Sequence, residues 1–146
     1  MAGTGAVNYN GGNILATTAY LGRPMNVAVD TSGDLYIVDF ENYRIRKVTK
    51  TTGIITTIAG TGQAGYNGDN MAAKLALLNY PSAIAVDFMG DVYIADNKNH
   101  RVRKVSQKTG IITTFAGNGS PTFSGDNIQS TLSALYLPEG IAIDAS

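Results

Sequence analysis

The fold is decided by residues 85–105, which read Ala-Val-Asp-Phe-Met-Gly-Asp-Val-Tyr-Ile-Ala-Asp-Asn-Lys-Asn-His-Arg-Val-Arg-Lys-Val. The pattern predicts two strands joined at Met89-Gly90-Asp91, a polar bend at Asp96–Asn99 and a third strand. Nearly the same residues occur 57 positions earlier, at 28–48, as Ala-Val-Asp-Thr-Ser-Gly-Asp-Leu-Tyr-Ile-Val-Asp-Phe-Glu-Asn-Tyr-Arg-Ile-Arg-Lys-Val. The chain is therefore built from a repeat that is mostly β-strand.

The repeat extends over the whole chain. Comparison of residues 2–58 with residues 59–115 finds 31 identical positions out of 57, without an insertion or deletion. We assign repeat 1 to 2–58, repeat 2 to 59–115, and a partial third repeat to 116–146. The chain ends within that third repeat, which favours a fragment, natural or engineered, of a larger repeat domain.

Each complete repeat is predicted to form four antiparallel strands joined by short turns. In repeat 1 these strands are Asn26–Asp30, Asp34–Val38, Arg44–Lys50 and Ile54–Ala59. A long connection, Gly60–Tyr80, joins the repeats, and Asn70 is predicted to N-cap about two turns of helix there. The partial third repeat is predicted to consist of a loop and one strand, Gly140–Asp144.

A single four-stranded meander has two faces and cannot bury both. Stacking copies around an axis buries them, so we predict an all-β fold of β-propeller blades with a period of 57 residues. A parallel β-helix is the alternative, but its repeats are much shorter and contain no antiparallel hairpins. Two meanders cannot close a ring and would expose large apolar faces.

Composition limits the function. The 146 residues are 44% apolar and carry 11 basic and 11 acidic side chains, so no overall field attracts nucleic acid or an anionic membrane. The absence of Cys excludes disulfides and thiol chemistry. No apolar run is long enough for a membrane span, and the N-terminus lacks the features of a signal peptide. The compartment remains unassigned, and a secreted or cell-surface parent fits as well as a cytosolic one.

The segment Asp-Val-Tyr-Ile-Ala-Asp-x-x-Asn-His-Arg-Val-Arg-Lys-Val at 91–105 resembles the core of an NHL repeat. The flanking Thr-Gly-Ile-Ile-Thr-Thr and Tyr/Phe-x-Gly-Asp motifs resemble a long-looped subclass common in surface and secreted proteins. The resemblance implies a six-bladed propeller that binds protein, RNA or carbohydrate, with a few relatives acting as metal-dependent lyases. Repeat 1 departs from it at Gly12, where later repeats have Asp69 and Asp126, and at Tyr43 in place of His100.

Three copies of a two-blade chain would supply six blades, so we predict a homotrimer with C3 symmetry and head-to-tail contacts. Residues 116–144 duplicate 2–30, and each junction has room for only one of the two segments. Either strand 140–144 of one subunit completes the first blade of the next and displaces Asn26–Asp30, or this strand frays.

All nine Asp residues fall in internally repeated columns. A catalytic acid or base is needed once, whereas a structural group is needed in every blade, so we interpret them as turn caps or arginine partners. Two bend pairs are predicted, Asp39 with Arg44 and Asp96 with Arg101. Asp69 and its equivalent are predicted to form Asx-turns or helix caps rather than a cation site.

No catalytic residue, cofactor site or metal site is predicted. His100 is the only histidine and cannot alone provide the ligands of a zinc lyase. The basic runs at 44–47 and 101–104 alternate between strand faces, which disfavours nucleic-acid binding.

Residues that differ between repeats are the better guide to a partner, and they fall in the bends and long loops. We therefore predict a non-catalytic binding or scaffold module whose partners are further copies of itself and an unknown protein or carbohydrate ligand. The alternatives are part of a metal-dependent lyase-like propeller, an RNA-binding NHL propeller, or a model fragment that only folds and assembles. The candidate binding face comprises Phe40, Glu41, Tyr43, Tyr66, Asn97, Lys98, His100 and Phe123.

Overall fold

The computed structural model describes residues 2–144 and is all-β, as predicted. Each complete repeat forms one five-stranded antiparallel sheet. The first blade contains β1 (Ile14–Leu15), β2 (Pro24–Val29), β3 (Leu35–Asp39), β4 (Arg44–Val48) and β5 (Ile54–Ala59). The second contains β6 (Met71–Ala72), β7 (Pro81–Val86), β8 (Val92–Asp96), β9 (Arg101–Val105) and β10 (Ile111–Ala116). Three short 3-10 turns lie at Ala16–Thr18, Ala73–Leu75 and Asn97–Asn99.

The meander order is the predicted one, and no strand of the first repeat differs from its predicted bounds by more than two residues. The first sheet has the order β1-β5-β4-β3-β2, so β2 forms one edge. The β2–β3 turn is capped by Asp30, whose Oδ1 accepts hydrogen bonds from the N–H groups of Ser32 and Asp34 at 2.9 and 3.0 Å. Gly33 completes this turn with a φ of 83°, a conformation that glycine adopts without strain. The turn-cap interpretation of Asp30 is therefore confirmed.

The predicted helix after Asn70 is wrong. Asn70 has a φ of 61°, outside the extended conformation of an N-cap, and its N–H donates to the Ile112 carbonyl at 2.9 Å. Met71 and Ala72 then pair with β10 as a fifth strand, which the four-stranded prediction omitted. A short 3-10 turn follows and buries Ala73. Pairing with a distant strand therefore replaces the local hydrogen bonds that a helix would need.

The predicted strand Gly140–Asp144 is also not formed among the described residues. In the complete repeats the equivalent strands, β2 and β7, pair with the next strand along the chain. Within residues 2–144 no strand follows residues 140–144, so the described residues include no equivalent of β3 or β8 for this segment.

The main core lies between the two sheets. Tyr36, Val38 and Ile45 of the first blade are buried against Ile84 and Ile94 of the second. The long connection contributes further buried side chains to this core, namely Ala73, Ala76 and Leu78. The interface between blades is thus a sandwich of two sheets with the connection folded into it.

A second, smaller core covers the opposite face of the first blade. Ile37 and Ile55 are buried there against Ala16 and Ala19 of the first long loop. Because side chains alternate along β3, Ile37 faces this loop while its neighbours face the second blade. No helix within residues 2–144 has the length and apolarity needed to cross a membrane.

Substitution of Ile94, which is fully buried between the blades, tests this core. Ile94→Ala is expected to lower the free energy of unfolding by about 2–5 kcal/mol, because it removes packed apolar volume. Ile128→Ala, at a position that is 43% exposed, is the matched control and should cost less than about 1 kcal/mol. Urea unfolding at one protein concentration measures both, and equal losses would contradict this description of the core.

Candidate functional site

A buried Asp–Arg pair holds the bend between β3 and β4. Asp39 and Arg46 are both fully buried, and Arg46 Nη1 lies 3.3 Å from Asp39 Oδ2. Asp39 Oδ1 accepts hydrogen bonds from the Gly22 N–H at 2.7 Å and from Asn42 Nδ2 at 2.9 Å. Arg46 Nη2 donates to the Gly11 carbonyl at 2.7 Å. The pair therefore connects the bend, β4 and two points of the preceding loop.

The second blade repeats this arrangement. Arg103 Nη1 lies 3.5 Å from Asp96 Oδ2, and both side chains are fully buried. The Asn79 N–H and Asn99 Nδ2 also donate to Asp96, at 2.7 and 2.8 Å. Burial raises the pKa of Asp96 to about 6, because the hydrogen bonds and the charge of Arg103 offset only part of the desolvation.

The predicted pair of Asp39 with Arg44 is wrong. The two residues are directly opposite in the β3–β4 register, yet the carboxylate binds Arg46, two positions further along the same face. The Arg44 guanidinium instead lies 3.9 Å from the ring centroid of Tyr9 and donates to the Thr61 carbonyl. The first arginine of each basic run thus contacts the loops, and the second forms the ion pair.

The predicted pair of Asp96 with Arg101 is wrong for the same reason. The Arg101 guanidinium lies 4.1 Å from the ring centroid of Tyr66, a cation–π contact. Its Nη2 donates to the Asn118 carbonyl at 2.7 Å.

Asp69 is a partner of Arg103, so its predicted role as an Asx-turn or helix cap is wrong. Its Oδ1 accepts hydrogen bonds from Arg103 Nη2 at 2.8 Å and from Thr114 Oγ1 at 3.1 Å. The hydroxyl of Tyr66 donates to Oδ2 at 3.3 Å. Arg103 therefore has two carboxylates around it, whereas Arg46 has one because position 12 is glycine.

The lysines of the basic runs lie on the opposite sheet face from the second arginines, as alternation predicts. Lys47 Nζ lies 3.5 Å from Asp30 and 2.9 Å from Asp34. Lys104 Nζ lies 2.7 Å from Asp91, and this hydrogen bond lowers the pKa of Asp91. The split of each basic run between two faces is therefore confirmed.

The predicted binding residues of the first bend contact the start of the second blade. The rings of Phe40 and Tyr43 lie 4.9 and 5.0 Å from that of Tyr80. Lys98, from the second bend, places its Nζ 4.6 Å from the same ring. Glu41 is exposed beside them.

The predicted binding residues of the second bend contact the partial third repeat in an equivalent way. Asn97 Nδ2 donates to the Pro138 carbonyl at 3.1 Å. His100 Nδ1 accepts from the Leu137 N–H at 3.2 Å, and its ring stacks on Tyr136 with centroids 5.9 Å apart. Each bend thus contacts the connection into the following repeat.

The eight predicted binding residues are therefore not brought together at one point. They divide between a cluster around Tyr80 and a cluster around residues 136–138, while Tyr66 stacks under Arg101. Phe123, which is 80% exposed, lies in the third long loop. The binding face made of these residues stays a prediction.

The structure shows a further apolar surface, on β2, that was not predicted from the sequence. Met25, Val27 and Val29 on β2 are 46%, 58% and 60% exposed. Ile84, the repeat equivalent of Val27, is only 3% exposed, because it packs against the first blade. Alignment of the two repeats could have identified this surface. An apolar residue that is buried in one blade predicts that its equivalent in the other blade is also buried, by another blade or by a partner. We call these three β2 residues the leading row.

The opposite end of the blade pair carries a second open apolar surface. Phe115 is 49% exposed, and its ring lies 5.1 Å from that of Tyr93 in an edge-on contact. A groove on this face is lined by both rings together with Val102, Ile141 and Ile143. We call Tyr93, Val102 and Phe115 the trailing face.

Within residues 2–144, no three His, Cys, Asp or Glu side chains converge so that they would hold a metal ion.

The sheets and bends described above coincide with a known repeat. The family model described as NHL repeat matches residues 21–48 and 78–105, which span β2–β4 and β7–β9. The chain carries two NHL repeats. The resemblance found in the sequence is confirmed, and the two sheets are two NHL propeller blades.

Relatives of these NHL repeats occur within much longer proteins. The chain is 31% identical over 90 residues to the Arabidopsis thaliana protein SUPPRESSOR OF QUENCHING 1, chloroplastic, covering 62% of the chain and 8% of that protein. It is 35% identical over 97 residues to NHL repeat-containing protein 2 of Gallus gallus, covering 66% of the chain and 13% of that protein.

Solved structures agree with the fold. A protein of unknown function from Bacteroides thetaiotaomicron superposes with a TM-score of 0.68 at 22% identity, over 84% of this chain and 31% of that one. An auxiliary nutrient binding protein from the same organism has a TM-score of 0.62 at 25% identity, over 81% of this chain and 32% of that one.

The buried bend of the second blade predicts that the Asp96 carboxyl titrates at a higher pH than an ordinary Asp. Between the ordinary Asp pKa of 3.8 and a pKa of about 6 for Asp96, the folded state holds more protons than the unfolded state. The contribution of Asp96 to stability is therefore greatest below pH 4 and is lost as pH rises to about 6. Carbon-13 NMR of the side-chain carboxyls should show Asp96 titrating near pH 6. Asp91 is the control, with a pKa lowered by Lys104. Titration of both groups below pH 4 would contradict the prediction.

Proposed function

We propose that this chain is a non-catalytic scaffold that assembles head-to-tail, with three two-blade copies forming a six-bladed propeller. The assembled ring would bind other molecules through its bends and long loops. The observation that carries the proposal is the contrast between Val27, which is 58% exposed, and Ile84, its 3% exposed equivalent. Ile84 in the second repeat packs against a preceding blade, and Val27 in the first repeat has no preceding blade within residues 2–144.

The two open surfaces correspond to the two sides of the interface between the blades. Within the chain, Ile84 packs against Tyr36, Val38 and Ile45. The leading row contains the equivalent of Ile84, and the trailing face contains Tyr93 and Val102, the equivalents of Tyr36 and Ile45. A second copy placed with its leading row on the trailing face would therefore repeat a junction that this sequence already forms once.

The segment 140–144 competes for the same place. Ile141 is the repeat equivalent of Val27 and Ile84, and it lines the groove next to Tyr93 and Phe115. Assembly requires either that this segment moves away or that it takes the place of β2 of the neighbouring copy. In the second case it would pair with β3 of that copy and connect the subunits by strand exchange.

Binding rather than chemistry is favoured by a relative. The auxiliary nutrient binding protein shares the fold at 25% identity, and its name describes a binding role for that protein. The repeated residues Asp34, Asp39, Asp91 and Asp96 are paired with lysines and arginines, as their recurrence in each blade implies. The binding surface of the proposed ring would then lie in the unrepeated bends and loops.

Light scattering on the purified chain tests the assembly. The proposal expects a particle of three times the 15.3 kDa chain mass. Val27→Asp should reduce it to a monomer with little loss of fold, because a charge on the leading row would be buried without a partner at the junction. Leu75→Asp, at a position that is 64% exposed outside both surfaces, is the control and should leave the trimer intact. A stable wild-type monomer would overturn the proposal.

A further inference from the structure

The clusters around Arg46 and Arg103 differ at one position, and the difference has a chemical consequence. In the second blade the carboxylate of Asp69 accepts hydrogen bonds from Arg103, Thr114 and Tyr66. In the first blade the equivalents of those three donors are all present, but the equivalent of Asp69 is Gly12. We propose that the first blade binds a small monocarboxylate, of the size of acetate, beside Gly12.

The donors are held in the same arrangement in both blades. Arg46 Nη2 donates to the Gly11 carbonyl at 2.7 Å, and Arg103 Nη2 donates to the equivalent carbonyl of Gly68 at 2.7 Å. The rings of Tyr9 and Tyr66 lie 4.8 and 4.9 Å from the guanidinium carbons of these arginines. The loop therefore keeps its position without the Asp side chain, and the donors have not turned to other partners.

An unpaired buried hydroxyl indicates where the ligand would bind in the first blade. The Thr57 hydroxyl has no hydrogen-bond partner within residues 2–144, whereas its equivalent, Thr114, donates to Asp69 at 3.1 Å. An unpaired buried donor is unfavourable, so a ligand that accepts the Thr57 hydrogen bond is favoured at this position. The Nε–H of Arg46 is also buried and unpaired, but so is that of Arg103, and it does not distinguish the two sites.

The space beside Gly12 accepts a side chain. A methyl group at the Cβ position of Gly12 would lie 3.7 Å from the Tyr9 hydroxyl and 3.8 Å from the Thr57 nitrogen, which are ordinary contact distances. Acetate carries the same carboxylate as an Asp side chain, so it can reach the same donors from outside the loop. Its methyl group must lie further from the backbone than a Cβ, because a free molecule cannot lie within a bond length of the Gly12 Cα. The side chain of Asp69 is 28% exposed, so the equivalent position is open to solvent on one side.

The balance of charged side chains around Arg46 favours a ligand with one negative charge. In the second blade Arg101 and Arg103 both lie against the Tyr66 ring, and Arg103 is paired with Asp69 and Asp96, so the cluster has two positive and two negative charges. In the first blade Arg44 and Arg46 are matched by Asp39 alone, which leaves one positive charge. Bound carboxylate restores the balance, and a charge-assisted hydrogen bond to Arg46 is among the stronger contacts available to it.

Acetate titration of the purified chain at pH 7 and constant ionic strength tests the site. In proton–nitrogen NMR spectra the Thr57 amide should shift with acetate in a saturable way. At about five times the dissociation constant, the Tm should rise by about 2–4 °C. Acetamide, which has the same shape without charge, should cause neither change.

Two variants of position 12 decide the result. Gly12→Asp supplies the carboxylate covalently and should abolish the acetate response, with a Tm above that of Gly12→Asn, which has the same shape without the charge. Gly12 has no left-handed φ, so the backbone accepts both side chains. An acetate response that is absent from the wild type, or equal in wild type and Gly12→Asp, would overturn the proposal.

Asp69→Gly is the reciprocal variant. It creates in the second blade the arrangement now present in the first, and acetate should then shift the Thr114 amide as well. A folded Asp69→Gly protein whose Thr114 amide ignores acetate would overturn the proposed chemistry. If this variant does not fold, the comparison at position 12 decides alone.

Discussion

Each blade depends on one guanidinium–carboxylate pair buried where its bend meets the following strand. Burying both charges is costly, and the cost is offset only when the remaining donors and acceptors find partners. For Asp39 and Arg46 the preceding loop supplies two such partners, the Gly22 N–H and the Gly11 carbonyl, and leaves only the Nε–H of Arg46 unpaired within residues 2–144. The pair therefore determines how the loop enters the blade. It also fixes the bend, which positions Phe40 against Tyr80 at the start of the next blade.

The strands were predictable because their signals are local. Alternation, β-branched runs and the Asp-x-x-Gly turns lie within a few residues of one another, and the repeat supplies every signal twice. The helix predicted after Asn70 was wrong because its segment pairs with β10, some 40 residues later, which no local pattern reveals. The prediction that Asp39 pairs with Arg44 was wrong for the same reason, because Arg46 is its partner. Both arginines share one face, and only the positions of Tyr9 and the loop decide between them.

Differences between equivalent positions carry more functional information than the conserved pattern of the repeat itself. The chain contains its own comparison, since each contact of one blade can be checked against the other in the same structure. Asp69 and Gly12 show what one carboxylate adds to a cluster of donors. Ile84 and Val27 show what a neighbouring blade adds to an apolar strand. From the sequence, each such pair is only a difference between two equivalent positions. The structure shows that the surrounding groups are the same in both blades, and the effect of the difference can then be inferred.

The size of the open surfaces bears on which assembly is stable. Full burial of an apolar side chain contributes about 1.5–3 kcal/mol, and the three residues of the leading row are already about half buried. Association costs about 4–15 kcal/mol in lost freedom, so one junction is marginal. In a closed ring of three, the third junction forms between subunits that are already joined, and its contacts incur little further entropic cost. Weak individual junctions therefore favour a closed trimer over an open dimer.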